Sequence, residues 1–507
     1  MSTEHIDSAT VRFILDGTVR EVRDAAPTRS VLQYLREDLG RSGTKEGCAE
    51  GDCGACTVVL AEADGDRLHC RAVNACIQFV PTLDGKTLFT VESLRRADGS
   101  LHPVQQAMVD CHGSQCGFCT PGFVMSLFAL YKNNAAPSRQ EIDDALAGNL
   151  CRCTGYRPIV AAAAKMYELA DATVAADWAG LACYGQSPAA AESEQALLGQ
   201  LKSLQRSEPL VTGDGHAQLH APQTLEQLAA LRLRHPAARI LAGGTDVGLW
   251  VTKQLRDIGD ILYVGNVAEL AELRVTATHL DIGAAMSFSA LQPALVEHFP
   301  EMGELLRRFA SPPIRNAATL GGNIANGSPI GDAMPPLIAL GTKLVLRKGK
   351  AMRELELEAF YLDYQKTALK AGEFVERILI PLHNPLRQTQ FRVYKLSKRG
   401  DQDISALCAA FWLVLRGGRV QAARIAFGGM AAIPKRGRQC EAALLDKEWN
   451  EANAQAAAQC LDTDFQPIGD MRASAAYRAL AARNLLQRFY LETAGGDVIT
   501  RVSQVGT

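Results

Sequence analysis

The start of the chain alternates hydrophobic and polar residues as a half-buried strand does. Val11, Phe13 and Leu15 are spaced by two, Asp16-Gly17 predicts a tight turn, and apolar residues resume at Val19. This pattern predicts a small α+β unit. Its further expected elements are a helix at about 30–38, a glycine-rich loop at 43–54 and a strand at 57–60.

From about residue 101 the apolar period becomes helical. Thr120-Pro121 predicts an N-cap with proline in the first turn of a helix that runs through Tyr131. Ser138 and Glu141 have the spacing of a capping box, and a further helix is expected at 159–169. The segment therefore predicts a second, all-helical unit.

The rest of the chain begins with a stretch rich in Gly, Ser, Pro, Ala and Gln, with few apolar anchors, which predicts a linker at 176–208. An α/β pattern follows, with a helix at 225–234 and a strand at 239–241 that leads into Gly243-Gly244. The last segment has strands and then alanine-rich helices, expected at 391–396, 408–415, 424–427 and about 441–490.

Composition limits the class of protein. With 507 residues the chain is too long for one core and is expected to form two to four domains. A net charge of −2 argues against nucleic acid or a membrane surface as a partner. No apolar run approaches the ~20 residues of a membrane helix, and residues 1–10 have no apolar core of a signal peptide. The cytoplasm is the expected compartment.

Cysteines are concentrated in the first third of the chain. Ten of the 14 cysteines lie between Cys48 and Cys153. Because a cytosolic protein does not keep stable disulfides, such a cluster indicates metal binding or catalysis.

The first group of cysteines has the plant-type [2Fe–2S] spacing. Cys48-x4-Cys53-x2-Cys56 supplies three thiolates on one loop, and the fourth would come from Cys70 or Cys76. The glycines of this loop leave room for the backbone to fold around a cluster and point N–H groups at sulfur. A structural zinc site is the alternative, although zinc favours Cys-x2-Cys pairs.

The second group is Cys116-x2-Cys119 with Cys151-x-Cys153, and each pair precedes a predicted helix. The positive end of a helix dipole favours thiolates. Alone, this spacing is weak and zinc is a fair alternative. Beside the first group, it favours a second [2Fe–2S] cluster.

Two glycine loops follow, at 240–247 and 319–323. Glycines let backbone N–H groups approach a pyrophosphate, although such a loop alone is usually only a turn. Neither loop has the Gly-x-Gly-x-x-Gly pattern of a Rossmann unit. Because iron–sulfur clusters pass single electrons, a flavin is the usual two-electron partner.

The two cysteine segments resemble the iron–sulfur region of the xanthine oxidase family of molybdenum hydroxylases. The resemblance implies a β-grasp ferredoxin domain and a four-helix domain, each with one [2Fe–2S] cluster. Asn74-Ala75-Cys76 matches the family's fourth-ligand tripeptide, so Cys76 is chosen over Cys70. Gln115 matches a residue that touches the pterin of the molybdenum cofactor. The implied ligands are Cys48, Cys53, Cys56 and Cys76 for the first cluster and Cys116, Cys119, Cys151 and Cys153 for the second.

Cys70 and Cys111 match no ligand position and are expected to be small buried hydrophobes.

The segment after the linker is similar to the FAD domain of the same family, which is related to the vanillyl-alcohol oxidase fold. Lys395 matches a lysine that opens a mobile loop beside the flavin ring. In the family the loop through Asp401 and Asp403 governs NAD access, and Gln402 stands where relatives have an acid. A solvated turn is the alternative for this loop, and core packing is the alternative for Phe309. The implied FAD contacts are Ile240, Leu241, Ala242, Gly243, Gly244, Thr245, Asp246, Val247, Phe309, Thr319, Gly322, Asn323, Asp332 and Lys395.

The fold class expected is therefore a multidomain α+β protein. Its predicted parts are a β-grasp [2Fe–2S] domain at 1–90, a helical [2Fe–2S] domain at 91–175, the linker at 176–208, an α+β FAD-binding domain at 209–386 and a C-terminal α+β domain at 387–507, like that of CO dehydrogenase flavoproteins.

The resemblance implies an electron-transfer subunit of a purine-hydroxylating enzyme. Purine would be hydroxylated at a molybdenum cofactor on a large partner subunit, and electrons would pass through two [2Fe–2S] clusters to FAD and then NAD⁺. The fusion of cluster and flavin domains favours this branch of the family, and a heterotetramer of two small and two large subunits is expected. The alternatives are the small subunit of an aldehyde or N-heterocycle hydroxylase, and a non-enzymatic zinc scaffold.

Overall fold

The computed structural model describes residues 9–95, 99–169, 188–382, 388–495 and 498–500. The chain forms two compact units. The first comprises 1–268 and 311–318, and the second comprises 269–310 and 319–507. Within the described ranges, no helix combines the length and the apolar character needed to cross a bilayer.

The first unit opens with a five-stranded sheet in the order β2-β1-β5-β3-β4. β1 lies antiparallel to β2 and parallel to β5, which is the β-grasp topology. A capping box of Ser30 and Gln33 begins α1, which continues as a π-helical turn at Tyr34–Asp38. The elements are β1 (Val11–Leu15), β2 (Thr18–Val22), α1 (Val31–Gln33), β3 (Thr57–Asp64), β4 (Arg67–Asn74) and β5 (Thr87–Phe89).

Four helices follow and confirm the predicted helical domain. The capping box of Ser138 and Glu141 is present at the start of α4. Cys119, rather than Thr120, caps α3, because Cys119 already has helical backbone angles. The helices are α2 (Pro103–Asp110), α3 (Thr120–Asn133), α4 (Arg139–Leu146) and α5 (Arg157–Glu168).

The predicted linker contains a helix, α6 (Pro188–Leu204), where the sequence analysis expected irregular chain. Its leucines are buried in the core of the two cluster domains, and Lys132 pairs with Glu194 at 3.2 Å. Leu197, Leu198, Leu201 and Leu204 recur on one helical face, which explains the burial. The prediction of a linker is therefore wrong at 188–204, and residues 176–187 lie outside the described part.

A second sheet of the first unit has the order β6-β7-β9-β8. Thr224 caps the helix predicted at 225–234, and the strand predicted at 239–241 is present. The elements are β6 (Leu210–Gly213), β7 (Gln218–Ala221), α7 (Leu225–Arg234), β8 (Arg239–Leu241), α8 (Val247–Thr252) and β9 (Ile261–Tyr263).

The second unit contains a sheet in the order β10-β11-β16-β12-β13 and a small hairpin. Its elements begin with β10 (Leu273–Val275), β11 (His279–Gly283), α9 (Phe288–His298) and α10 (Gly303–Arg308). α11 (Pro312–Ala317) belongs to the first unit. The second unit continues with α12 (Leu320–Asn326), α13 (Met334–Leu340), β12 (Lys343–Lys348), β13 (Ala351–Glu356), β14 (Tyr361–Asp363), β15 (Lys366–Thr367) and β16 (Phe374–Pro381).

The chain ends in a meander of four antiparallel strands covered by three helices. Phe411 and Phe489 stack at 5.2 Å in their shared core. The strands and helices expected here are confirmed, with longer strands than predicted. They are β17 (Gln388–Leu396), β18 (Leu407–Arg416), β19 (Arg419–Gly428), β20 (Lys435–Arg436), α14 (Arg438–Leu444), α15 (Glu451–Asp464) and α16 (Ala475–Thr493).

Candidate iron–sulfur and flavin sites

The loop before β3 wraps its backbone around the sulfur of Cys48. The N–H groups of Glu50, Asp52 and Cys53 donate to Cys48 Sγ at 3.5, 3.4 and 3.3 Å. The Cys53 thiol also hydrogen-bonds Cys48, and together with the amides it lowers the pKa of Cys48 to about 5. The loop therefore stabilises a thiolate, which is the form that binds metal.

Cys56 and Cys76 form a second, buried pair. Their Sγ atoms are 3.3 Å apart, and each residue is only 2% exposed. The hydrogen bond from Cys76 lowers the pKa of Cys56, and Asn74 Nδ2 lies 3.9 Å from Cys56 Sγ. Cys70, by contrast, packs in the other hydrophobic core of this unit.

The helical domain brings its four cysteines together in the same pairwise way. Cys116 hydrogen-bonds Cys153, and Cys119 hydrogen-bonds Cys151. Burial is the main cause that raises the pKa of Cys119 to about 12. Cys119 caps α3 directly, whereas the Cys151–Cys153 segment is separated from α5 by a short turn.

This pairing fits [2Fe–2S] chemistry better than mononuclear zinc. In a [2Fe–2S] cluster each iron takes two of the four thiolates, whereas zinc gathers all four around one ion. Each quartet here consists of two thiol pairs.

Two of the four cysteines of the helical domain are exposed at its surface. Cys116 and Cys153 are exposed, and Gln115 Nε2 donates to the Cys153 carbonyl at 3.1 Å. Phe118, Leu150 and Tyr156 are large side chains that are also exposed nearby in the sequence. Cys116 and Cys153 therefore lie at a surface of the first unit, whereas Cys151 is buried and Cys119 is half-buried.

The two cysteine loops touch through Asn149, a residue that the sequence analysis did not single out. Its side chain bridges the helical domain and the loop of the β-grasp domain, with Nδ2 donating to the Gly54 carbonyl at 3.1 Å. The next residue, Leu150, donates its N–H to the Cys53 carbonyl at 3.0 Å. The available signal was a small amide two residues before Cys151.

The glycine loop at 240–247 lies between β8 and α8 in the first unit, as expected. Gln78 Nε2 donates to the Gly243 carbonyl at 3.1 Å. A Cβ on Gly243 would lie 1.7 Å from the Ala317 carbonyl, and one on Gly244 would lie 2.9 Å from the Ile77 carbonyl. Packing against Ala317 therefore requires a glycine at position 243. Ile77, the residue after Cys76, lies against the loop at Gly244.

The remaining predicted FAD contacts lie in the second unit. Thr319 caps α12 by accepting from the Gly322 N–H at 3.1 Å. Asn323 Oδ1 is buried and has no hydrogen-bond partner among the described residues. Leaving a buried acceptor unpaired costs about 1–3 kcal/mol, so a bound nucleotide that donates to it would be favoured. The residues present therefore fit an FAD.

A small cavity lies in the same unit. Phe309 and Asp332, both predicted FAD contacts, line it together with mostly apolar side chains. Phe309 also packs on Phe288, with ring centroids 4.5 Å apart. Phe309 therefore both packs on a core residue and lines the cavity.

Lys395 is held in a closed, buried network. Its Nζ lies 2.5 Å from Asp332 Oδ2 and 3.0 Å from Ser405 Oγ, and Ser405 Oγ donates to Asp332 Oδ1 at 2.5 Å. Ser405 was not singled out in the sequence analysis, because a lone serine gives no signal. The network joins the ends of β17 and β18 to the cavity wall.

The loop between β17 and β18 is fastened at several points. Arg308 donates to the Gly400 carbonyl at 2.8 Å and the Lys395 carbonyl at 3.1 Å. Asp403 accepts the Arg399 N–H at 2.9 Å. Hydrogen bonds from this N–H and the Arg399 charge outweigh burial and lower the pKa of Asp403. Asp403 therefore has a structural role in the turn.

Taken together, a β-grasp domain and a helical domain with paired cysteines, followed by a glycine-loop domain, define an iron–sulfur flavoprotein. Four known domains match along the chain. They are a 2Fe-2S iron-sulfur cluster binding domain at 13–80, a [2Fe-2S] binding domain at 90–164, an FAD binding domain in molybdopterin dehydrogenase at 215–383 and a CO dehydrogenase flavoprotein C-terminal domain at 392–493.

Similar proteins include the xanthine dehydrogenase of Emericella nidulans, which is 34% identical over 96% of this chain and 39% of its own length. Xanthine dehydrogenase/oxidase of Gallus gallus is 31% identical over 90% of this chain and 38% of its own length. Among solved structures, quinoline 2-oxidoreductase from Pseudomonas putida 86 matches with a TM-score of 0.50 and 26% identity, over 54% of this chain and 95% of its own.

Carbon monoxide dehydrogenase from Hydrogenophaga pseudoflava also matches, with a TM-score of 0.51 and 27% identity, over 54% of this chain and 95% of its own. The chain belongs to the xanthine oxidase family of molybdenum hydroxylases, as its iron–sulfur and FAD-binding part. It spans about two fifths of the length of the curated relatives that it matches.

Proposed function

We propose that this chain is the small, electron-transfer subunit of a bacterial xanthine dehydrogenase. The similarity that supports the proposal most strongly is to xanthine dehydrogenase, at 34% identity over 96% of the chain. Both cluster domains and the flavin domain are present in one chain, so the chain contains the parts that an electron relay to a flavin requires.

In this proposal each cysteine quartet holds one [2Fe–2S] cluster. The residues proposed to contact FAD are those of the glycine loop at 240–247, together with Phe309, Thr319, Gly322, Asn323, Asp332 and Lys395. The clusters and FAD would supply one-electron and two-electron redox chemistry, respectively. The chain's own residues hold the thiolates, donate hydrogen bonds to sulfur and bury Cys56 and Cys76. These features set the reduction potential of a cluster. NAD⁺ is the proposed final acceptor.

The proposed partner is a large subunit that carries the molybdenum cofactor and hydroxylates hypoxanthine or xanthine. The exposed side of the helical domain, with Cys116, Cys153 and Gln115, is the proposed entry point for electrons. A heterotetramer of two small and two large subunits is the simplest symmetric assembly. A reducing compartment such as the cytoplasm suits a chain with this many thiols.

A second candidate is the small subunit of another molybdenum hydroxylase that acts on an N-heterocycle or an aldehyde. The similarity to quinoline 2-oxidoreductase favours this class. The cofactors of this chain would be the same, because substrate is bound by the partner. Substrate preference of the assembled enzyme separates the two candidates.

The test compares the chain alone with the chain bound to its large partner. Alone, the purified chain is expected to oxidise NADH with an artificial dye and to leave xanthine unchanged. With the partner, xanthine-dependent reduction of NAD⁺ is expected. Activity on quinoline or an aldehyde but not on purines would support the second candidate. Purine hydroxylation by the isolated chain, with metal analysis excluding a contaminating partner, would overturn the division of roles.

A further inference from the structure

A single buried amide ties the two cysteine loops together. Asn149 is 3% exposed, and its Nδ2 donates to the Gly54 carbonyl at 3.1 Å and to Thr57 Oγ1 at 3.3 Å. Its Oδ1 accepts from Ser126 Oγ at 2.6 Å. Both ends of the amide are thus satisfied, one by each cluster domain, so the side chain has a fixed orientation.

The backbone beside Asn149 makes the contact between the predicted ligands. The Leu150 N–H donates to the Cys53 carbonyl at 3.0 Å. Leu150 is bonded to Cys151, so this hydrogen bond connects a cysteine of one quartet to a cysteine of the other through main-chain atoms only. Because both atoms belong to the backbone, this hydrogen bond needs no particular side-chain conformation at Leu150 or Cys53 once the two loops are aligned.

Glycines allow the two loops to come this close. A Cβ on Gly54 would lie 2.1 Å from the Gly148 carbonyl, and a Cβ on Gly122 would lie 2.1 Å from the Gly54 carbonyl. Gly54 also has a positive φ of +70°, which disfavours other residues. The approach of the loops is therefore built into the backbone, and Asn149 is the polar group that fixes its register.

We propose that Asn149 is a positioning residue for electron transfer between the two clusters, because it holds the Leu150 N–H on the Cys53 carbonyl. This inference rests on the proposed function, since it requires both quartets to bind their clusters. One electron passes from the reduced cluster to the oxidised one, and no bond forms or breaks. The hydrogen bond from the Leu150 N–H to the Cys53 carbonyl gives a path through bonded atoms between the two loops. Without it, the electron would have to cross the space between the loops.

Two variants at Asn149 and one at its partner test the proposal. Asn149→Asp keeps an oxygen that accepts the hydrogen bond from Ser126, but it loses the N–H that donates to the Gly54 carbonyl. The new carboxylate oxygen would instead be repelled by the oxygen of that carbonyl. Asn149→Ala removes both ends, and Ser126→Ala removes one hydrogen bond while leaving Asn149 in place. Gln140→Glu is the matched control, because Gln140 is an exposed amide on α4 whose Nε2 donates to Asp144 at 2.8 Å, away from both cysteine loops.

Three readouts are measured on the full chain. They are the iron content, the magnetic splitting between the two reduced clusters in EPR, and the rate of electron equilibration between clusters after one-electron injection by pulse radiolysis. Hydrogen exchange at the Leu150 amide gives a fourth readout that does not depend on cluster content. None of these measurements uses xanthine or the partner.

The Asn149 variants are expected to keep iron, to slow equilibration by about tenfold or more, and to weaken the splitting. The Leu150 amide is expected to exchange faster in both, and Ser126→Ala to show a smaller change in the same direction. Wild-type exchange and transfer in Asn149→Asp would overturn the proposal. A wild-type chain without iron would instead overturn the proposed function, so the two failures are distinguishable. If Asn149→Ala loses a cluster, the proposal is tested by electron equilibration and Leu150 exchange in Asn149→Asp and Ser126→Ala.

Discussion

Lys395 Nζ lies 2.5 Å from Asp332 Oδ2, with the two side chains only 2% and 6% exposed. Ser405 completes the network, so each charge is paired and hydrogen-bonded. Removing one member of such a pair leaves an uncompensated buried charge, which costs more than the pair itself contributes. Asp332, one member of the network, also lines the cavity together with Phe309.

Lys395→Met is therefore expected to destabilise the second unit by about 3–5 kcal/mol. Denaturant unfolding followed by tryptophan fluorescence of the C-terminal domain would measure the loss. Lys398→Met is the control, because the Lys398 side chain is exposed and its Nζ donates to a backbone carbonyl, that of Met471, rather than to a buried carboxylate. A loss for Lys395→Met no larger than for the control would show that the pair does not stabilise this unit.

Cys76→Ser is expected to lose or weaken the cluster of the β-grasp domain, whereas Cys70→Ser keeps both clusters. Cys76 lies against Cys56, while Cys70 lies in the other core and burial raises the pKa of its thiol to about 11. Iron analysis and EPR of the reduced variants provide the test. A complete two-cluster signal from Cys76→Ser would refute the ligand assignment.

Gly243→Ala is expected to disrupt the fold of the first unit as well as FAD binding, because the new Cβ would lie 1.7 Å from the Ala317 carbonyl. Gly322→Ala should be milder, since its Cβ meets only the Thr319 hydroxyl, at 2.8 Å, and loss of that cap costs about 1 kcal/mol. Thermal midpoints and the flavin-to-protein ratio give the comparison.

Gly199→Ala is the control for the glycine series. Gly199 lies inside α6 with nothing within 4 Å of the added Cβ, so alanine should stabilise the helix by about 1 kcal/mol. A Gly243→Ala protein with the wild-type melting temperature would contradict the packing reason for this glycine.

Glu373 should contribute to stability in a pH-dependent way. Hydrogen bonds from Arg353 and from the Lys370 N–H lower its pKa from 4.5 to about 2. A carboxyl with a depressed folded-state pKa stabilises the fold fully above its unfolded value, and this contribution is lost as the pH falls from 4.5 toward 2. The thermal midpoint of Glu373→Gln should therefore lie below wild type near neutral pH, with the gap closing in acid.

Glu354→Gln, on the same strand as Arg353, is the control. Glu354 is 58% exposed and forms only a surface pair with Lys343 at 3.4 Å, which is worth little. A Glu373→Gln gap that does not shrink in acid would contradict the role of ionised Glu373.

Much of the secondary structure could be predicted from sequence because its signals are local. The apolar period places α7. The cysteine spacing locates both groups of cysteines, whereas the resemblance to the family was needed to choose Cys76 over Cys70. α6 was missed because the segment is rich in Gly, Ser, Pro, Ala and Gln, which predicted a linker, although four leucines recur at helical spacing. The composition of a segment does not show whether its apolar face packs against another part of the protein.

Long-range contacts explain what the sequence could not show. Gly243 is required by a carbonyl in α11, far along the chain. Asn149 is important because Gly54 and Thr57 of another domain lie against it. Lys395 is neutralised by Asp332 and Ser405, which local pattern does not bring together.

The most direct test of the account is metal and flavin analysis of the purified chain combined with EPR after reduction. The account predicts iron without stoichiometric zinc, bound FAD, and two distinct [2Fe–2S] signals that interact magnetically. A colourless protein with zinc in the cysteine quartets and no flavin would contradict it.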